Sequence, residues 1–299
     1  VLVPLYVPHG TNCAAWSAAF ATISAHPSMT FYTIISPISG PGSSVDSQPD
    51  ADFISCVLQL RLSGTQTVLG WVDTESPSTG TVLGDIDTYA GWNNSYRPNG
   101  IFLVDVTPTA SRVSTYQRYV SHATSMGFTF TVLDTGFATS SSYLDMVDLV
   151  NTYEGPYSSF DPSSLSGTLS KQSVTLKSAP TTGSYSGVIS QLQSLGVEAV
   201  YITDAPDMGT PLPAKLAEFV DEVASVGEVR LFYLRRNLFS SHSRACRRDP
   251  RPPRPPVQPP PVQRAPRLLR PLVQPPPVQL FLLDLHSLPR KDLPLLRQQ

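Results

Sequence analysis

The stretch Gly100–Asp134, GIFLVDVTPTASRVSTYQRYVSHATSMGFTFTVLD, decides the architecture of the chain. It opens on a continuous apolar run, Gly100–Val106, and ends on a second, Phe128–Asp134. Runs without polar alternation are expected of parallel strands covered on both faces. Between them Arg112–Met126 reads as a helix, with Ser111 placed to cap its start and Gly127 just past its end. The unit is therefore strand, helix, strand.

The same alternation extends in both directions. Strands are expected at Val1–Val7, Thr30–Pro37, Thr67–Asp73, Gly100–Val106, Phe128–Asp134, Leu149–Glu154, Ser173–Ser178 and Val197–Asp204. Helices are expected at Ala14–Ala25, Ala51–Leu62, Val82–Ala90, Arg112–Met126, Tyr143–Asp148, Tyr185–Leu195 and Leu212–Ser225, with a weaker one confined to Pro162–Leu169. Gly196 and Gly227 close the last two. Eight strands, each followed by a helix, predict an α/β fold of the (β/α)₈ barrel type over residues 1–228. A doubly wound open sheet is the rival, but it normally has fewer strands. The first strand is also not followed by a glycine-rich phosphate loop.

Charge divides the chain in two. Residues 1–228 hold seven basic residues against 20 acidic ones, a net −13, whereas residues 229–299 hold 14 basic against three acidic, a net +11. The acidic part does not offer the basic face that nucleic acid needs. The second part contains 15 of the 30 prolines within residues 250–299 and repeats a ten-residue unit, RPPVQPPPVQ at Arg254–Gln263 and RPLVQPPPVQ at Arg270–Gln279. Proline this dense excludes persistent helix or central strand, so a tail or linker without regular structure is expected. A change of reading frame inside a linker would produce so abrupt a shift near Val229. No stretch reaches the roughly 18 apolar residues of a membrane span. The chain begins at Val1 and shows no leader, as a mature secreted form would. Cys13 and Cys56 either pair across the first two helices, as an oxidising compartment would permit, or stay buried as thiols. Asn93-Asn94-Ser95 is a glycosylation sequon.

In such a barrel, catalytic groups sit at the C-terminal ends of the strands. Those ends carry Tyr6, Asp73, Asp105, Asp134, Glu154, Lys177 and Asp204, with Tyr153 and Tyr201 nearby. Hydrolysis of a glycosidic bond uses two carboxyl groups, one protonating the leaving oxygen and the other attacking the sugar or activating water. Aromatic faces hold the apolar side of a sugar ring. An acidic rim equally suits a divalent metal, and Asp73, Asp134 and Asp204 also suit structural roles as caps or loop anchors. Asp85 and Asp87 read as solvated or capping helix residues. His9, the one histidine near the rim, reads as a loop residue, and no Ser-His-Asp or zinc-type spacing is present.

Several segments, in order, resemble the spherulin 4-like family. They are VLVPLYVPHGTNCAAWSAAFATISAHPSMTFYTIISPISGPGS at the start, DIDTYAGW at Asp85–Trp92, GIFLVDV at Gly100–Val106, DLVNTYEGPYSSF at Asp148–Phe160 and GVEAVYITD at Gly196–Asp204. The resemblance covers about residues 1–225. It implies a (β/α)₈ enzyme of glycoside hydrolase family 135, a secreted endo-α-1,4-N-acetylgalactosaminidase acting on the cell-wall and biofilm polysaccharide galactosaminogalactan. It implies a polysaccharide partner, no cofactor and no metal, and the chain is expected to act as a monomer. The family's strand-six glutamate maps onto Glu154. Its strand-four Asp-Glu pair falls on Val104 and Asp105, so the first acid is missing. Asp105 and Glu154 are then the expected catalytic pair, with Tyr6, Asp73, Asp134, Tyr153, Tyr201 and Asp204 lining the substrate. Neighbouring residues on a strand point to opposite faces, so Asp105 is not expected to replace an acid at 104 directly. A wall or spherule protein that keeps the sugar groove without the activity is the alternative.

Overall fold

A computed structural model describes residues 1–226 except 38, 43–46, 63–65, 76, 77, 209 and 210. The proline-rich tail expected over 229–299 and the expected stop at Gly227 lie outside these residues. Eight parallel strands follow one another around a single sheet in sequence order. They are β1 (Leu2–Leu5), β2 (Phe31–Ile35), β3 (Gln66–Asp73), β4 (Gly100–Val104), β5 (Phe130–Asp134), β6 (Leu149–Pro156), β7 (Gln172–Lys177) and β8 (Ala199–Ile202). β8 lies against β1, which brings the sheet round into a (β/α)₈ barrel. The outer layer is α1 (Ser17–Ala25), α2 (Ala51–Leu62), α3 (Thr79–Ala90), α4 (Val113–Ser125), α5 (Ser141–Met146), α6 (Ser186–Leu195) and α7 over residues 216–226.

One contact fixes which side chains face the barrel axis. The rings of Tyr32 on β2 and Phe130 on β5 stack with centroids 5.1 Å apart. These strands are not neighbours, so both rings point inward. Partners in a parallel ladder share a face, and the register carries this assignment around the sheet. Gly100 pairs Phe130 and Leu69, and Asp73 pairs Val104. Asp134 pairs Asn151, Asn151 pairs Ser173, and Thr175 pairs Tyr201. All of these face the axis. The other parity packs under the helices: Gly70 is glycine because a Cβ there would lie 2.8 Å from the ring of Tyr89 on α3.

Several expectations are corrected. The helix expected at Pro162–Leu169 is absent, and the path from β6 to β7 is three short 3₁₀ turns, Tyr157–Ser159, Pro162–Ser164 and Leu169–Lys171. Asp161 caps the middle turn through Ser163, and Gly167 takes φ +84°, so the local chemistry favours turns over a helix. Ser111 does not cap α4. It lies inside the 3₁₀ turn Ala110–Arg112, with its hydroxyl 3.1 Å from that of Thr109. The first helix starts at Ser17 rather than Ala14, because Asn12 and Cys13 occupy left-handed conformations within the turn Thr11–Trp16. Asp85 and Asp87 neither cap nor stand free: Asp85 is half-buried, and Asp87 bonds His122 at 2.7 Å. Gly127 and Gly196 do sit in left-handed conformations at the ends of their helices.

Cys13 and Cys56 are joined in a disulfide across 43 residues of sequence, tying the turn before α1 to α2. Closing a loop of that size restricts the unfolded chain and stabilises the native state by roughly 2–5 kcal/mol. The double replacement Cys13→Ala/Cys56→Ala is therefore expected to lose about 3 kcal/mol in urea unfolding. A loss below about 1 kcal/mol would contradict this.

Candidate active site

The inward faces of β6 and β7 meet out of simple step. Asn151 pairs Ser173, but Tyr153 pairs Val174 and Glu154 pairs Thr175, because the register shifts between Asn151 and Tyr153. Without the shift, Asn151 and Glu154, three positions apart, would face opposite ways. The extra residue of this bulge brings Glu154 round to the axis. Lys177, two residues beyond inward-facing Thr175, donates to Glu154 Oε1 at 2.9 Å.

Beneath this pair lies a closed polar column. Asn151 Nδ2 donates to Asp134 Oδ1 at 2.9 Å, and Asn151 Oδ1 accepts from Ser173 Oγ at 3.3 Å and Thr175 Oγ1 at 3.4 Å. Asp134 is only 6% exposed. Burial first, and then the charge of Glu154, push its carboxyl up to about 7, against the opposing hydrogen bond from Asn151. The ring of Tyr6, after β1, is partly exposed, yet its hydroxyl is buried and meets no hydrogen-bond partner among the described residues. Its ionisation is pushed far upward by burial and then by Asp134, Glu154 and Asp105.

Val104 ends β4 on the inward face at 8% exposure, paired with Asp73. Asp105 follows in a left-handed conformation, φ +55°. Asp105 itself is exposed, and the turn it makes ends the strand. It is held by Val106 N–H donating to Asp134 O at 3.0 Å and Thr107 N–H donating to the Tyr116 hydroxyl at 3.1 Å. The Asp105 carboxyl is raised by partial burial and then by the charges of Asp73, Glu75 and Glu154. A non-glycine residue held at positive φ beside a cluster of carboxylates is characteristic of functional sites.

The remaining expected residues divide. Asp73 faces inward and accepts from Glu75 N–H at 2.8 Å. Its charge also acts on half-buried Asp85, whose carboxyl is raised to about 6, chiefly by burial. Tyr201 faces inward on β8 but is 3% exposed, below the rim. Asp204 accepts from Ala214 N–H at 3.2 Å and anchors the segment that leads to α7. The structure does not bring Tyr153 to the group: it shares the outward parity of Val174, its ring packs on Phe160 and its hydroxyl donates to Pro156 O. His9 lies apart, its ring 5.8 Å from that of Phe53. Sequence reasoning gave no role to Asn151, Glu75 or the Lys177 ammonium. A lysine at the end of an inward parity, next to a strand-end glutamate, was the available signal for the last. Among the described residues no set of three or more His, Cys, Asp or Glu is placed to hold a metal ion, and no helix is long and apolar enough to cross a membrane.

Fold and rim together define a (β/α)₈ barrel with inward carboxyl groups at the C-terminal ends of β3, β5 and β6 and Asp105 just past the end of β4. The chain belongs to spherulation-specific family 4, whose profile matches residues 1–223. Among solved structures it is similar to Sph3 of Aspergillus clavatus, crystallised in complex with GalNAc. The likeness has 25% identity and a TM-score of 0.67, covering 75% of this chain and 96% of that one. A structure described as native KDPGal follows at 10% identity and TM-score 0.44, covering 77% of this chain and 95% of the other. No curated protein matches the chain in sequence.

The raised carboxyl of Asp134 makes stability depend on pH. The native state holds a proton that the unfolded chain releases above its ordinary value near 3.8. The contribution is therefore fully present below about pH 4 and is lost as pH rises through about 7. Asp134→Asn, which keeps an acceptor for Asn151, is expected to flatten this decline and to stabilise the protein at pH 7.5 by about 1 kcal/mol or more in denaturant unfolding. An unchanged slope between pH 4 and 7 would refute it.

Proposed function

We propose that the chain is a secreted endo-glycosidase that hydrolyses α-1,4-linked N-acetylgalactosamine in a cell-wall or biofilm polysaccharide. The observation that carries this reading is the inward turn of Glu154 against Lys177 at the C-terminal end of β6. The GalNAc complex of the 25% identical Sph3 supports the sugar class. The Cys13–Cys56 disulfide supports an oxidising, extracellular setting.

The surroundings of the two carboxyl groups differ, and the difference suggests their roles. Lys177 compensates a negative charge on Glu154, which suits the carboxylate that attacks the anomeric carbon or activates water. Partial burial, and then the charges of Asp73, Glu75 and Glu154, favour the protonated form of Asp105, which suits the acid that protonates the leaving oxygen. Tyr6, with its buried and unpartnered hydroxyl, is the donor we assign to a sugar hydroxyl. Asp73 would line the groove, with Asp134 and Tyr201 buried beneath it and Asp204 anchoring its β8 side.

A second reading rests on Val104. An apolar side chain fills the inward place at the end of β4, so a wall or spherule protein that binds sugar without cleaving it is the alternative. The two are separated by assaying oligosaccharide release from galactosaminogalactan with the full chain. Glu154→Gln and Asp105→Asn are each expected to lower turnover by at least about a hundredfold while leaving the fold intact. Cleavage that survives Glu154→Gln would end the assignment. Binding without cleavage in the parent, with activity appearing in Val104→Asp, would establish the second reading.

A further inference from the structure

Among the described residues the large apolar side chains most open to solvent are Leu58 and Leu62 on α2, Leu195 on α6, and Phe137. The first three are aliphatic and lie on the outer helices. Phe137 is aromatic, 57% exposed, and lies in the loop that leaves the C-terminal end of β5. Isolated exposed apolar residues are ordinary. What sets this one apart is its mounting.

The loop that carries it is fastened to the catalytic strand. Thr135 and Gly136 both donate their N–H groups to Asn151 O, at 3.2 and 3.0 Å. Thr135 Oγ1 donates to Phe137 O at 2.7 Å, and Glu154 N–H donates to Gly136 O at 2.9 Å. Gly136 runs so close to the acid that a Cβ on it would lie 3.8 Å from Glu154 Cβ. Its φ of +66° is one that glycine adopts without strain. Phe137 is thus one residue from a backbone group bonded to Glu154, on a loop tied to β6 by three backbone hydrogen bonds. An exposed aromatic ring held this way loses little freedom on binding, having only two side-chain torsions to fix.

We infer that Phe137 is an aromatic platform on which a sugar ring of the polysaccharide rests beside Glu154. The inference depends on the glycosidase reading above and adds a residue that sets how tightly the chain is gripped. The apolar C–H face of a pyranose would cover the ring and remove its surface from water, leaving the sugar's hydroxyls for the polar rim.

The test measures binding apart from cleavage. N-acetylgalactosamine oligosaccharide is titrated calorimetrically into the full chain carrying Glu154→Gln, and then into the same protein with Phe137→Ala or Phe137→Trp added. Phe137→Ala is expected to weaken binding roughly tenfold or more. Phe137→Trp should restore it, and the melting temperature should be unchanged because the ring is exposed. In the cleaving protein, Phe137→Ala should raise KM with little change in kcat, as loss of binding common to ground and transition states does. Equal affinity for Phe137 and Phe137→Ala would overturn the platform while leaving the glycosidase reading intact. Failure of the chain to bind the oligosaccharide even with Phe137 present would overturn both.

Discussion

The site depends on one irregularity in an otherwise regular barrel. A parallel ladder with strict period two would give β6 a single inward set, and Asn151 and Glu154 could not both belong to it. The shift between Asn151 and Tyr153 lets the strand supply both. Asn151 closes the polar column with Asp134, Ser173 and Thr175, and Glu154 emerges above it against Lys177. The bulge sends Tyr153 outward for the same reason. It also leaves backbone carbonyls free to hold the β5 loop, since Asn151 O accepts from both Thr135 and Gly136. Strand irregularities of this kind recur next to active sites because they re-aim side chains without disturbing the rest of the sheet.

Electrostatics then follow from placement. Burial first, and then the charges of neighbouring carboxylates, raise the carboxyls of Asp105 and Asp134. The effect is strongest for Asp134, which is the most buried, and it reaches the Tyr6 hydroxyl. The Lys177 ammonium acts against this trend at one carboxylate, Glu154. The mouth therefore combines groups that favour the neutral form with one whose charge is compensated. That difference between neighbours is what acid–base chemistry on a glycosidic bond requires.

The barrel was legible because parallel strands buried on both faces are written as apolar runs, such as Phe31–Ile35 and Gly100–Val104. The strand ends were legible for the same reason, and with them Tyr6, Asp73, Asp134 and Glu154 as inward candidates. The bulge was not. Nothing at Thr152 marks it, since its residue type is common in regular strands, and the shift is defined only against β7. The conformation of Asp105 was likewise hidden. Aspartate tolerates positive φ, but the turn is imposed by bonds from Val106 to Asp134 and from Thr107 to Tyr116 across the fold. The segment after β6 forms turns where the alternation predicts a helix, because Asp161, Pro162 and Gly167 favour turns. Phe137 drew no notice because an exposed aromatic in a Thr-Gly-Phe-Ala loop acquires meaning only from what the loop is tied to.

The central claim is that the bulge turns Glu154 into a mouth that holds sugar between it and Asp105. A crystal structure of the full chain carrying Glu154→Gln, soaked with an α-1,4-linked N-acetylgalactosamine oligosaccharide, tests it most directly. The account predicts a glycosidic oxygen within hydrogen-bond reach of Asp105 and the anomeric carbon of the same linkage facing residue 154. A sugar bound elsewhere on the barrel, or residue 154 turned outward with Tyr153 in its place, would contradict it.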